Sequence, residues 1–517
     1  MTQPPRSSVD AASPADAATS PWPALWAMVI GFFMILVDNT IVSVATPAII
    51  EDLQTDYNSG IWVTSAYLLA YAVPLLVTGR LGDRFGPKRV YLVGLAIFTL
   101  ASLWCGLTDS IGGLIAARVV QGVGASLITP QTMSVITRTF PAAKRGSAMA
   151  LWGATAGVAT LVGPILGGVL VDAAGWEWIF FVNVPVGIVG FVLAKRLVPT
   201  LETHAHSFDW LGVGLSAAGM FLLVFGIQEG ERYDWGTIAG PLSVPLLIGV
   251  GALVLGLFVF WQSRVRTEPL VPLSLFHDRN FSVGNVGIAM VSLAITAMSL
   301  PFMFYAQGAR GWSPTEAALF MAPMAVVLLA LSPVVGKLSD RVHPRILTLV
   351  GFGTAAVAMR WLGSLVDPST PGWQLLLPMA LFGVSNAFLW APLSATATRN
   401  LPLTSAGAGA GVYNTTRQVA AALGSAAVAA LIGARLSANG LDGDAAAFQS
   451  AGGAAIPAQV ADAFSRAMSE AFWLPTTAFV VGLVVVLYFE RPRHQGAAPA
   501  PAADVPATVQ PAAPPAA

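Results

Sequence analysis

Fourteen apolar stretches, most of them about the length of a bilayer-spanning helix, follow one another along this chain. They fall near 24–47, 60–78, 90–108, 111–133, 147–171, 177–197, 210–228, 241–261, 282–306, 315–335, 346–365, 373–395, 408–433 and 471–489. Inside a bilayer every backbone polar group must be satisfied within the chain, which leaves helices or a closed barrel. Continuous apolar runs of this length read as helices, so the expected fold class is an all-α polytopic membrane bundle. Composition agrees: of 517 residues, 55% are hydrophobic and only 10% charged, where a soluble chain carries about a quarter. Formal net charge is zero, which gives no reason to expect a nucleic-acid partner. The single cysteine, Cys105, excludes an intramolecular disulfide.

The first segment is too long for a cleaved leader, contains Asp38 and lacks a basic stretch before it. The tails, 1–23 and 491–517, are low in complexity and rich in Pro and Ala, and are expected to be disordered. An Ala/Gly-rich stretch near 435–470 is expected to hold a short helix or hairpin. Most Lys and Arg fall in alternate links, so the positive-inside rule puts those links and both termini in the cytoplasm. An even number of spans requires the same.

One of those links, "GRLGDRFGPKR" at 79–89, crowds Arg80, Asp83, Arg84, Lys88 and Arg89 between two apolar runs. Gly79, Gly82 and Gly86 permit a tight turn and close backbone approach. Asp83 is expected just before the third helix, where the helix N-terminus favours a carboxylate. A weaker copy, "GKLSDRVHPR" at 336–345, places Asp340 and Arg341 where the first has Asp83 and Arg84. Two such links imply an internal repeat, the arrangement of transporters whose binding site lies between two halves.

Polar residues within the spans are the candidate site. Asp38 is the acidic residue expected deepest in a span, facing the bundle interior or a water-filled cavity. A low-dielectric setting disfavours the anion, so this carboxyl can bind and release a proton; the alternative is a structural hydrogen bond to a neighbour such as Asn39 or Thr40. Neutralising it is expected to spare folding. Arg118 lies within the fourth span, paired with a carboxylate or backbone rather than snorkelling, and Gln121 is one turn on along the same face. Arg417 is either a structural pair or part of a cavity. Trp62, Tyr67, Trp152, Asn386, Trp390, Tyr413 and Asn414 are candidates to line a substrate cavity, although Trp and Tyr also gather at membrane interfaces. In "GVATLVGPILGG", Gly157, Gly163, Gly167 and Gly168 are expected to clear one helix face for a neighbour, and Pro164 to kink the span.

These motifs resemble the major facilitator superfamily over nearly the whole chain. "GRLGDRFGPKR" is similar to its hallmark loop, and fourteen spans with "LVDNTIVSVATPAI" at 36–49 resemble its drug–proton antiporter branch. "ARVVQGVGAS" at 117–126, "GATAGVATLVGPILGG" at 153–168 and "YNTTRQVAAALGSA" at 413–426 resemble the branch's patterns in helices four, five and thirteen. The resemblance implies two six-helix halves, 24–197 and 281–490, joined by 198–280 with a two-helix insertion. It implies proton coupling through Asp38 and Arg118, and a cytoplasmic latch formed by the charged links. It also implies a helix-five motif favouring export, in a monomer of the bacterial inner membrane that uses a proton gradient and no cofactor or metal. The rivals within transport are proton-coupled uptake of a nutrient and export of one endogenous metabolite. An enzyme is disfavoured, because the five histidines all fall in segments expected to be cytoplasmic, none of them on a span, and no phosphate loop is present.

Overall fold

The computed structural model describes residues 20–55, 57–141, 144–203, 209–230, 232–233, 235–265, 268–441 and 458–490. The sequence expectations for residues 1–19, for 491–517 and for the centre of the 435–470 stretch therefore lie outside the described residues, whereas Trp22 and Pro23, expected in the tail, already belong to the first helix. Within them, thirteen helices are long and apolar enough to cross a membrane, and a bent pair makes the fourteenth span. In chain order the spans are Trp22–Asp52 (span 1), Tyr57–Ala72 with Leu75–Phe85 (2), Pro87–Leu107 (3), Ile111–Thr139 (4), Arg145–Ala174 (5) and Trp178–Leu197 (6). Then come Trp210–Gln228 (7), Val244–Arg264 (8), Arg279–Ala309 (9), Thr315–Ser339 (10), Pro344–Ser364 (11), Gly372–Arg399 (12), Leu403–Ala438 (13) and Val460–Val486 (14).

Span 2 bends by 46° at its break. Pro74 caps the second piece and has no N–H to continue the helical ladder across the join. Past the bend the helix runs on to Phe85, so most of the charged link is helical. Asp83 thus sits in the last turn of span 2 and not at the start of span 3, which begins at Pro87. Gly86 makes the corner between them at φ +90°, a conformation that side chains with a Cβ avoid.

Span 14 begins about a dozen residues before the sequence expectation. Its first piece, Ala458–Ala471, carries Asp462, Arg466 and Glu470 on an amphipathic helix, and that periodic charge hides it from a search for apolar runs. A two-stranded hairpin, Thr237–Ala239 with Leu242–Ser243, links spans 7 and 8.

Spans 1–6 pack among themselves, as do spans 9–14. The two groups meet where span 13 lies against spans 2 and 4, and where span 5 lies against spans 10 and 12. Spans 7 and 8 pair with each other, and span 7 also touches spans 2 and 13. There Leu69, Met220 and Val224 bury together with Val419 against them, so the insertion lies along the seam between the groups. Leu100, Val169, Leu253 and Val326 are each at least 60% exposed. Side chains so apolar and so open face lipid hydrocarbon in a membrane bundle. The links at 79–89 and 336–345 share one face of the bundle, called here the basic face.

Candidate functional site

Asp38 and Arg118 form a buried ion pair within the first six spans. Arg118 Nη1 lies 2.5 Å from Asp38 Oδ2, with both side chains at 0% exposure. The carboxylate's other oxygen accepts from Gln121 Nε2 and from Asn183 Nδ2, both at 2.9 Å. Gln121 also accepts from Arg118 and donates to Ser102 at 2.6 Å. Arg118 Nε donates to the Val63 carbonyl at 3.0 Å, and the Tyr67 ring covers the guanidinium, its centroid 4.1 Å away. Five spans thus converge on one charge pair. The local hydrogen bond to Asn39 or Thr40 is not what holds Asp38; Thr40 Oγ1 donates instead to carbonyls of its own helix and to that of Ala159. The pair also reverses the expectation that neutralising Asp38 spares folding, because a buried guanidinium would lose its counter-charge.

A second polar cluster lies where the two groups of spans meet. Arg417 on span 13 is 6% exposed. Its guanidinium carbon is 5.6 Å from the Trp152 ring centroid on span 5 and 6.0 Å from that of Trp390 on span 12. Its Nη2 reaches Tyr71 Oη on span 2 at a long 3.5 Å. Trp152 stacks on Phe32 at 4.8 Å, and Trp390 donates to Asn386 at 3.0 Å. Tyr413 and Asn414 are buried one turn before Arg417. Trp62 does not join them: it packs against Phe225 of the insertion, 5.8 Å between centroids. Tyr67 belongs to the ion-pair site and stacks on Tyr71, 6.2 Å away, toward the interface.

On the basic face, two carboxylates each cross from one group to the other. Asp83, 2% exposed, accepts from Gly407 N at 2.8 Å and Ala408 N at 2.9 Å, the first turn of the span 13 helix. Asp340, at the end of span 10, accepts from Gly146 N at 2.7 Å, Ser147 N at 3.3 Å and Ser147 Oγ at 2.9 Å, at the start of span 5. Asp83 does meet a helix N-terminus, which favours a carboxylate, but it is that of span 13 in the opposite group and not that of span 3; Asp340 likewise meets the start of span 5 across the seam. Burial pushes the Asp340 carboxyl above its usual range, and its hydrogen bonds to Ser147 and Gly146 pull it back.

Close approach makes the Asp83 contact possible. A methyl group on Gly79 would overlap the Gly407 carbonyl and come within 3.0 Å of the Gly411 Cα. Arg80 is buried beside Asp83, Arg84 lies over Phe85 at 5.2 Å, and Arg89 and Arg341 are exposed.

The four glycines of span 5 do not share one face. Gly163 and Gly167 meet span 1, at Thr40 and at Ile41, whereas Gly157 meets Leu328 of span 10 across the seam. Nothing lies within 4 Å of the space a Gly168 side chain would fill. Pro164 sits inside a helix that runs unbroken from Arg145 to Ala174.

The sequence profile described as Major Facilitator Superfamily matches residues 28–425, from before Asp38 to beyond Arg417. The chain belongs to that superfamily. It is a multi-pass membrane transporter, and its superfamily is one of transporters rather than enzymes. An uncharacterised MFS-type transporter of Mycobacterium tuberculosis is 53% identical over 91% of this chain and 81% of its own length. The tetracenomycin C resistance and export protein of Streptomyces glaucescens is 33% identical over 80% of this chain and 77% of its own. The multidrug export protein EmrB of Haemophilus influenzae is 30% identical over 77% and 78% respectively. Among solved structures, the proton:xylose symporter XylE superposes with a TM-score of 0.59 at 14% identity, covering 90% of this chain and 95% of that one. The major facilitator fold is common to both.

Several partners in this superfamily member escaped the sequence reading. Ser102 and Asn183, which complete the Asp38 site, are single polar residues in apolar runs with nothing to mark them. Tyr71 was hidden among ordinary aromatics. Gly407 and Ala408 had a signal, the small-residue run "SAGAGAG" at 405–411, whose bare backbone at a helix start suits a carboxylate.

Proposed function

We propose that this transporter exports lipophilic or amphipathic small molecules from the bacterial cytoplasm across the inner membrane, in exchange for protons, by alternating access. The observation that carries the reading is the Asp38–Arg118 pair, a carboxylate sealed at 0% exposure, in a chain whose relatives include named drug exporters. An intramembrane ion pair is costly and by default functional. Asp38 would take up and release the proton, with Arg118 and Gln121 setting its alternatives. The basic face would be cytoplasmic, as would both termini, and the protein would act as a monomer with the proton gradient as its only energy source.

The interface cluster of Trp152, Asn386, Trp390, Tyr413, Asn414 and Arg417 would meet the substrate. The carboxylate contacts of Asp83 and Asp340 would latch the cytoplasmic side, with Gly79, Arg80, Arg84, Gly86, Arg89 and Arg341 shaping those corners. Span 5, through Gly157, Gly163, Pro164 and Gly167, would keep the exchange tight. Inverted vesicles test the direction: an exporter accumulates substrate when the vesicle interior is acidified. Accumulation under the opposite gradient would establish proton-coupled uptake instead. Screening an overexpressing strain against chemically varied toxic compounds would separate a broad exporter from one dedicated to a single metabolite.

A further inference from the structure

Three arginines are buried in the spans; Arg80 lies beside Asp83 at the basic face, and the two deeper ones are treated differently. Arg118 has Asp38; Arg417 forms no ion pair among the described residues. Its Nε has no hydrogen-bond partner, and Tyr71 Oη at 3.5 Å is a weak one for Nη2. Around it other buried polar atoms also lack partners: Trp152 Nε1, Tyr413 Oη and Asn414 Oδ1. Tyr413 and Asn414 precede Arg417 by four and three residues, so all three lie along one side of span 13. Each such orphan is costly, and a buried charge most of all. Several together, at the seam that alternating access would open, mark a place that something else completes.

What completes it follows from the donors. A guanidinium with a free Nε–H presents the planar fork that matches a carboxylate, and Trp152 Nε1–H is a further donor. The walls are aromatic, with Trp152 and Trp390 already against the guanidinium. A cation would meet an uncompensated positive charge; a neutral amphiphile would leave the fork unfilled. We infer that the seam around Arg417 is a binding site for a monoanionic aromatic amphiphile, its carboxylate on Arg417 and its ring against Trp152 and Trp390. Arg417 lies about 16 Å along the span 13 helix from its start on the basic face, so this ligand would enter from the cytoplasm. This deepens the export reading by naming the charge class of the substrate, and it rests on that reading only for the direction of transport.

The test is binding, which needs neither transport nor a proton gradient. The full chain in lipid nanodiscs is titrated at neutral pH with three isosteric probes: 2-naphthoate, neutral 2-naphthalenemethanol and cationic 2-naphthylmethylammonium. The anion should bind about tenfold or more tightly than either, the ratio that one charge-assisted hydrogen bond supplies. Arg417→Gln should erase that preference while leaving the neutral probe unchanged, Arg417→Lys should restore part of it, and Trp152→Leu should weaken all three. Equal binding of the three probes by the wild type would overturn the proposal, as would an anion preference surviving in Arg417→Gln. If Arg417→Gln does not fold, thermal stabilisation of the wild type decides, and 2-naphthoate must raise Tm more than the cation. Displacement by chloride as readily as by 2-naphthoate would overturn the aromatic part. An anion bound but never exported would refute the export reading and leave this one standing.

Discussion

Replacing Asp83 by asparagine removes one charge and keeps the shape. The carboxylate accepts from Gly407 N and Ala408 N at 2.8 and 2.9 Å; an amide can accept one of these and must turn its NH2 toward the other. The loss is one charge-assisted hydrogen bond, about 1.5–3 kcal/mol, together with an attraction to the helix N-terminus of up to about 1–2 kcal/mol. Against it stands the desolvation cost of a carboxylate that is 2% exposed, which the amide avoids in large part. We take the net as about 2 kcal/mol, or about 30-fold in the equilibrium between closed and open basic faces. Both states keep their packed halves, so the protein should fold and shift population. The reporter is Met133→Cys in a Cys105→Ala background. Met133 is fully buried on span 4, with its sulfur 3.9 Å from Asn414 Nδ2 across the seam. Its labelling rate by a membrane-impermeant thiol reagent in inverted vesicles should rise about 30-fold with Asp83→Asn. An unchanged rate would refute the latch and leave the charged link as a topological anchor.

Three further outcomes follow from the geometry. Asp38→Asn should abolish proton-driven efflux and destabilise by about 3–5 kcal/mol, because Arg118 is left buried without its counter-charge; Asp38→Asn with Arg118→Gln should recover most of the lost Tm in detergent but none of the transport. Gly163→Leu should lower Tm and transport, since its side chain would strike Thr40 and approach the Val37 carbonyl, whereas Gly168→Leu, with nothing within 4 Å, should do neither. Tyr71→Phe, which removes the hydroxyl held by Thr129 at 3.1 Å and reached by Arg417, should cost about 0.5–1.5 kcal/mol and raise the substrate leaked per proton, read by paired flux measurements in liposomes.

The spans were legible because hydropathy alone defines them, and so was the depth of Asp38 and Arg118, since any charge inside an apolar run stands out. What hydropathy cannot carry is the partner of each charge. Asp38 is 80 residues from Arg118, and Asn183 joins them from span 6; nothing local to either position specifies that meeting. Asp83 shows the same limit differently. Its motif announces a carboxylate for a helix N-terminus, but the nearest N-terminus in sequence is not the nearest in space, and the bend at Pro74 decides which one it meets. Trp62 failed as a cavity residue because the insertion covers its face of span 2, a consequence of packing between elements about 160 residues apart.

The ion pair lies inside one group of spans, and under the proposed exchange a substrate bound at the seam would have to sense its protonation. The structure offers a contiguous route of polar and aromatic contacts between them. The Arg118 guanidinium lies 4.1 Å from the Tyr67 ring, Tyr67 stacks on Tyr71 at 6.2 Å, and Tyr71 Oη meets Arg417 at 3.5 Å. Adjacency alone does not make a pathway, and a coupling route needs an element with two arrangements that both ends bias. Span 2 supplies a candidate. Its break at Pro74 separates Tyr67 and Tyr71 from Asp83, so the upper piece rests on the ion pair while the lower piece carries the latch. A change at Asp38 that moves Arg118 would then tilt the upper piece against the lower. The contact it would strain on the basic face, Asp83 on the span 13 helix, belongs to the same helix that holds Arg417.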